Sequence, residues 1–167
     1  DEKVGGVIVK SENWQALNLL QERYRNKIKC IYIDPPYNTG SDEFLYKDNY
    51  QHSSWLTMMA DRLKLARSAL NEEGSIFISI DDHEYSSLVM QMKEVFGEQN
   101  PIARIVIKSN PRGRQSERFA ATVHEYLLVG ARDAGACSLS GAFLTEEQIK
   151  EYKYRDHDGR RYRLLGM

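Results

Sequence analysis

A short apolar run that ends abruptly in two prolines is the feature that most restricts how this chain can fold. Residues 28–33 are aliphatic, β-branched or aromatic almost throughout, which is typical of a buried strand in a parallel sheet. Asp34, Pro35, Pro36 and Tyr37 follow this run directly. Because proline lacks a backbone N–H donor and fixes φ, two prolines cannot continue a central strand. The chain must therefore leave the sheet at Asp34.

Strands and helices are predicted to alternate on both sides of this segment. Apolar or β-branched runs predict strands, and apolar residues at helical spacing predict helices between them. The predicted strands are 7–9, 28–33, 75–80, 103–108 and 125–129, and the longer predicted helices lie within 13–24, 56–70 and 85–96. Ser11, the pair Asp81 and Glu84, and Gly97 are expected to cap these helices. This alternation is typical of an α/β domain with a mostly parallel sheet, in which ligands bind beyond the carboxyl ends of the strands.

The composition excludes several kinds of protein. The chain has 167 residues, enough for one compact domain. No apolar run approaches the roughly 18 residues needed to cross a membrane, and the net charge of −1 means that any nucleic-acid binding must come from local patches. Cys30 and Cys137 stand too far apart to suggest a disulfide framework, so a reducing cytoplasm is expected. His83 and His124 have no partners at ligand spacing, so no metal site is predicted.

A change in the texture of the sequence near Ala134 divides the chain into two predicted parts, 1–133 and 134–167. The second part begins with small residues and ends in a basic tail with interleaved tyrosines: Lys150, Tyr152, Lys153, Tyr154, Arg155, Arg160, Arg161, Tyr162 and Arg163. The start at Asp1 is expected to be an internal cut or a processed end, and the end at Met167 is expected to be a truncation.

The segment around the two prolines has a specific likeness. Residues 31–40, Ile-Tyr-Ile-Asp-Pro-Pro-Tyr-Asn-Thr-Gly, resemble motif IV of the amino-nitrogen methyltransferases, and most closely the modification (Mod) subunits of type III restriction systems and related adenine methylases. The resemblance extends over residues 7–131, through Phe44 to Tyr50, Trp55-Leu56, Met59, Arg62-Leu63, Gly74 to Asp82, Phe96-Gly97 and His124-Glu125-Tyr126. It implies a partial Rossmann-like S-adenosylmethionine-dependent methyltransferase fold, with helices on both faces of the sheet and a terminal antiparallel pair.

The resemblance also implies roles for the strand-end residues. The Asp34 carboxylate and the Pro35 backbone carbonyl would accept the two hydrogens of an adenine amine, and Pro36 would stiffen the backbone that aims that carbonyl. Tyr37 would stack on the flipped-out base. A turn with a helix-capping Asp and a packing Tyr is the alternative for an isolated Asp-Pro-Pro-Tyr. Family members that act on cytosine more often carry Ser at the first position, so Asp34 favours adenine.

Two further groups of residues are candidates for binding. Glu12 and Asn13 occupy the place where the relatives usually carry Gly-Asp-Asn with a cofactor-binding acid, although an acid at a helix N-terminus is the structural alternative. Asn38, Lys108, Arg112, Arg114 and Arg118 are candidates for contact with nucleic acid, because phosphate binding requires clustered basic and polar groups. A solvated surface loop is the alternative for the basic residues.

The expected whole protein is a site-specific DNA adenine-N6 methyltransferase in a restriction–modification system. It would use S-adenosylmethionine, bind double-stranded DNA, pair with a restriction (Res) subunit and form a homodimer of the modification subunit. One feature departs from the relatives, because no Gly-x-Gly loop for the cofactor occurs in this chain. The isolated chain is therefore expected to be inactive alone. An orphan DNA or RNA adenine methyltransferase and an inactive DNA-binding or assembly piece remain the alternatives.

Overall fold

The computed structural model describes residues 5–39, 52–109, 123–140 and 145–162. Contacts divide the chain into two units, Asp1–Cys137 and Ser138–Met167. The first unit contains α1 (Asn13–Tyr24), β1 (Ile28–Ile33), α2 (His52–Ala69), β2 (Leu70–Ile80), α3 (Tyr85–Phe96), β3 (Pro101–Lys108) and β4 (His124–Ala131). The family resemblance also implies that residues 1–133 are the catalytic part of a methyltransferase domain and that residues 134–167 begin a truncated target-recognition region, and this division of roles stays a prediction.

The four strands of the first unit form one mixed sheet in the order β1-β2-β4-β3. β1 and β2 are parallel, whereas β4 is antiparallel to both β2 and β3. It follows that β1, β2 and β3 run in the same direction and that β4 alone is reversed. The predicted α/β class, with strands mostly in one direction and a terminal antiparallel pair, is confirmed.

The hydrophobic core lies between this sheet and two helices. One face of β2 presents Ile76, Ile78 and Ile80, which are all fully buried. They form one cluster with side chains from both helices: Trp55, Met59, Leu63 and Ala66 of α2, and Leu88, Met92 and Phe96 of α3. α1 packs along α2, where the Gln21 side chain donates to the Leu65 carbonyl at 2.9 Å.

The expected arrangement of helices on both faces of the sheet differs from the structure in the described residues. α2 and α3 share the face that bears Ile76, while Tyr32, on the opposite face of β1, is 62% exposed. The strand order gives the reason. The crossovers from β1 to β2 and from β2 to β3 progress in the same direction across the sheet, and crossovers of one hand then place their helices on the same face.

The strand predicted at residues 7–9 was wrong. Val7, Ile8 and Val9 are irregular and are 75%, 99% and 47% exposed. A β-branched run becomes a strand only when a neighbouring strand satisfies its backbone hydrogen bonds, and these three residues pair with no strand in the part of the chain that the structure describes.

Two of the three predicted helix caps were also wrong. Glu12, not Ser11, is the N-cap of α1, and its carboxylate accepts from the Gln15 N–H at 3.1 Å. The capping box predicted for Asp81 does not form, because the Asp81 carboxylate bonds to His83 in a turn before α3. Gly97 is confirmed as the C-cap of α3, with the positive φ of 98° that glycine tolerates.

The second unit contains a short helix and a hairpin. α4 spans Glu146–Glu151, and β5 (Tyr154–Arg155) pairs antiparallel with β6 (Arg161–Tyr162). Asp156 holds the turn, since its carboxylate accepts from the Asp158 and Arg160 N–H groups at 3.0 and 2.8 Å. The rings of Tyr154 and Tyr162 lie 5.5 Å apart across the hairpin. Within the parts of the chain that the structure describes, no helix is both long and apolar enough to span a membrane.

Two glycines in the sheet provide a matched test of packing. A Cβ on Gly74 would lie 2.9 Å from the backbone oxygens of both Asn71 and Ile28, which cannot move without shifting the strands. A Cβ on Gly130 would lie 2.7 Å from the terminal methyl of Met92, which can rotate away. We therefore expect Gly74→Ala to lower the free energy of unfolding by about 1–3 kcal/mol, and Gly130→Ala to lower it less. Denaturant titration measures both values, and equal losses would contradict the packing described here.

Candidate active site

The five residues after β1 form an irregular segment at the carboxyl end of that strand. The Asp34 side chain is exposed, while Pro35, Pro36, Tyr37 and Asn38 are half-buried. In the described residues, the Pro35 carbonyl accepts no hydrogen bond. The Asp34 carboxylate and this carbonyl are thus two acceptors on consecutive residues, next to an aromatic ring. The structure therefore brings together the predicted catalytic residues.

Pro36 and Asn38 are each held by a buried group from a different element. The indole Nε1–H of Trp55, in α2, donates to the Pro36 carbonyl at 2.8 Å, and Trp55 is fully buried. The side-chain amide of Asn38 donates to Glu84 Oε1 at 2.7 Å, just before α3. The backbone on both sides of Tyr37 is thus fixed by α2 and by the turn that precedes α3.

The Tyr37 phenol lies between two carboxylates. Its hydroxyl donates to Glu125 Oε2, on β4, at 3.4 Å, and the Asp34 carboxylate lies close enough to act on it electrostatically. Burial of the phenol, and then the negative charges of Asp34 and Glu125, raise the pKa of Tyr37 well above its usual value. Since these causes all oppose the phenolate, Tyr37 stays a neutral hydrogen-bond donor throughout the ordinary pH range.

Glu12 is already engaged within the protein. One carboxylate oxygen caps α1, and the other forms an ion pair with Arg62 Nη2 at 2.7 Å. The backbone N–H of Trp14 and then that of Gln15 and the Arg62 guanidinium hold the pKa of Glu12 below its usual value. Asn13 is the first residue of α1 and is exposed. These contacts fit the structural alternative for Glu12, a helix cap, and its role towards a cofactor stays a prediction.

The predicted nucleic-acid contacts are only partly visible. Lys108 ends β3 and is exposed, and it pairs in the sheet with His124. Arg112, Arg114 and Arg118 lie outside the described residues. Within the described ranges, no three His, Cys, Asp or Glu side chains are grouped to hold a metal ion.

Sequence reasoning missed three residues that shape the site: Trp55, Glu84 and Glu125. Trp55 and Glu125 were noticed only as part of a family resemblance, and Glu84 was interpreted as a helix cap. Two of them carry a signal that could have been used. A tryptophan at the start of an amphipathic helix and an acid inside an apolar strand both require a polar partner when buried.

Comparisons with known proteins agree with this architecture. The structure superimposes on the complex of M1.HpyAVI with S-adenosylmethionine with a TM-score of 0.53, at 16% identity, over 77% of this chain and 54% of the other. The type III restriction-modification enzyme EcoPI Mod subunit of Escherichia phage P1 is 32% identical over 92% of this chain and 28% of its own length. The probable HindVI Mod subunit of Haemophilus influenzae is 41% identical over 64% of this chain and 14% of its own length.

The structure therefore shares its fold with the matched part of M1.HpyAVI. The family model described as DNA methylase matches residues 28–164, and the chain belongs to that family. The chain spans 28% and 14% of the lengths of the EcoPI and HindVI relatives.

The neutral state of Tyr37 can be tested by titration. Absorbance of phenolate near 295 nm should rise identically in the wild type and in Tyr37→Phe up to about pH 11, because Tyr37 does not ionise there in the folded protein. In concentrated urea, where ordinary tyrosines ionise near pH 10, the wild type should exceed the variant by the absorbance of one tyrosine. A difference between the two folded proteins at about pH 10 would contradict the raised pKa.

Proposed function

We propose that this chain is the catalytic portion of a site-specific DNA adenine-N6 methyltransferase, and that the whole protein is the modification subunit of a type III restriction–modification system. The methyl donor is S-adenosylmethionine and the acceptor is the exocyclic amine of adenine. The observation that carries the proposal is the geometry after β1. Asp34 and the Pro35 carbonyl form a pair of acceptors, and the backbone behind them is held by Trp55 and Glu84.

The chemistry of the adenine amine explains why two acceptors are needed. Its lone pair is delocalised into the ring, so the nitrogen is a weak nucleophile. The Asp34 carboxylate and the Pro35 carbonyl each accept one amino hydrogen and draw the nitrogen towards tetrahedral geometry. The lone pair is thereby directed at the methyl group, and positioning with electrostatic stabilisation accounts for the rate. No group needs to remove a proton before the transfer.

Tyr37 is proposed to receive the base. An adenine inside a duplex is out of reach, so the enzyme must extrude it from the stack. The half-buried Tyr37 ring is tethered through its hydroxyl to Glu125, which holds the ring beside the two acceptors. Stacking on an aromatic ring is tolerant of sequence, so this platform can hold the base while other residues read the flanking sequence.

The described residues do not form a complete site for S-adenosylmethionine. Both carboxylate oxygens of Glu12 are occupied by the α1 cap and Arg62, and the chain has no Gly-x-Gly loop. Each carboxylate oxygen can accept a further hydrogen bond, so Glu12 and the neighbouring Asn13 are still proposed to contact the cofactor at the edge of a larger pocket. The proposed reaction requires a cofactor pocket with contributions from residues other than those described.

The partners follow from the chemistry and from the relatives. Double-stranded DNA is the substrate, and Asn38, Lys108, Arg112, Arg114 and Arg118 are proposed to contact it. Of the cations, the structure describes only Lys108, which ends β3, and a positive charge there suits the phosphates that flank an extruded base. The EcoPI relative is a Mod subunit of a restriction–modification enzyme. We propose by analogy a restriction (Res) subunit as partner, a second copy of the modification subunit, and a cytoplasmic location.

Asp34 provides the direct test of the proposed reaction. In the longest natural chain that contains this segment, Asp34→Ala should abolish transfer of tritium from labelled S-adenosylmethionine to unmodified DNA, while DNA affinity stays close to that of the wild type. The loss is expected because one of the two acceptors is removed. Asp61→Ala, which removes an exposed carboxylate from α2, is the matched control and should be fully active. Turnover of Asp34→Ala within about tenfold of the wild type would contradict the role assigned to Asp34.

Tyr37 tests the stacking platform separately. Tyr37→Phe keeps the ring and should retain most of the activity, whereas Tyr37→Ala should lose about 1–3 kcal/mol of base stacking. The measurement is kcat/KM for DNA, converted to free energy for each variant. Equal losses of kcat/KM in both variants would mean that the hydroxyl and its contacts matter more than the ring. That result would contradict the stacking role.

A further inference from the structure

Glu84 is the buried carboxylate at the junction of three segments. It lies in the turn between β2 and α3, and its side chain has no exposed surface. A single oxygen, Oε1, accepts from the Asn38 amide at 2.7 Å and contacts His52 Nδ1, at the start of α2, at 2.8 Å. One atom therefore links the segment after Tyr37, the first turn of α2 and the approach to α3.

The second carboxylate oxygen of Glu84 is buried at a cost in folding free energy. Oε2 is buried and accepts no hydrogen bond within the described structure. A buried acceptor without a partner loses its hydration and receives little in return, so Oε2 lowers the net contribution of this carboxylate to stability. Stability alone is therefore a poor explanation for a carboxylate here, and its contact with Asn38 is the better one.

Asn38 occupies a conformation that needs support. Its φ is 62°, in the left-handed region that asparagine tolerates better than most residues. The chain therefore turns sharply directly after Tyr37. The hydrogen bond to Glu84 fixes that turn from one side, while Trp55 holds the Pro36 carbonyl from the other. Tyr37 lies between these two anchored residues.

We infer that Glu84 is a positioning residue for the proposed methyl transfer. It fixes the turn at Asn38, and through it the direction of the Tyr37 ring and of the Pro35 carbonyl. His52, whose side chain is 74% exposed, orients the carboxylate from the solvent side. This inference rests on the proposed function. Reacting groups displaced by about 1 Å can lose about 100-fold in rate, so replacing Glu84 is expected to lower kcat.

Two substitutions at Glu84 separate positioning from folding. Glu84→Gln keeps an acceptor for Asn38 and should retain most of the activity. Glu84→Leu removes the acceptor and should lower kcat by about 100-fold, with the dissociation constant for DNA within about threefold of the wild type. Leucine also leaves the Asn38 donor unpaired, so the melting temperature of Glu84→Leu should fall by only a few degrees, far less than a loss of about 100-fold in kcat would require if it came from unfolding. Glu94→Leu, at an exposed position of α3, is the control and should change neither property.

A readout that does not depend on activity follows the hydrogen bond itself. In protein labelled with ¹⁵N-asparagine, the side-chain amide signal of Asn38 should shift in Glu84→Leu and remain near its wild-type position in Glu84→Gln. An active Glu84→Leu, or parallel losses of activity and melting temperature in Glu84→Leu and Glu84→Gln alike, would overturn the positioning role while leaving the proposed function intact. A wild type without methyl transfer would overturn the proposed function and this inference with it.

Discussion

The hydrogen bond between the Trp55 indole and the Pro36 carbonyl joins the hydrophobic core to the candidate active site. Trp55 is fully buried and belongs to the same cluster as Ile76, Ile78 and Ile80 on β2. Its ring is fixed by packing, so its single N–H is a rigid donor. The backbone after β1 is accordingly as well ordered as the core against which α2 packs. If the packing around Trp55 became looser, the Pro36 carbonyl would move and the geometry of the site would change.

The site also depends on contacts between distant parts of the sequence. Tyr37 is separated from Glu125 by 88 positions, and Asn38 from Glu84 by 46. β4 reaches the site only because it is inserted between β2 and β3, which carries Glu125 to the carboxyl edge of β1. The acceptors and the aromatic ring therefore acquire their geometry together, when the sheet is complete.

Much of the fold could be predicted from local pattern, because β1, α2 and α3 carry clear apolar periodicity and Pro35 with Pro36 marks the end of a strand. The core residues of α2 and α3 and the class of the sheet followed from that pattern. The failures have a common physical origin. Val7 to Val9 have the composition of a strand, but strand formation depends on a partner. Glu84 was misjudged because its partners, Asn38 and His52, lie far away in sequence.

The exposed side of β1 has a practical consequence. Cys30 is a free, exposed thiol on the strand that leads into the candidate site, and Tyr32 lies on the same face. Cys137 is the only other cysteine in the chain, and replacing it would make labelling with a maleimide specific to one atom. A fluorophore on Cys30 would sit four positions before Asp34, and its emission would report on whatever comes to cover this face of the sheet. A label on β1, the strand that leads into the candidate site, would thus also allow assembly of the whole protein to be followed.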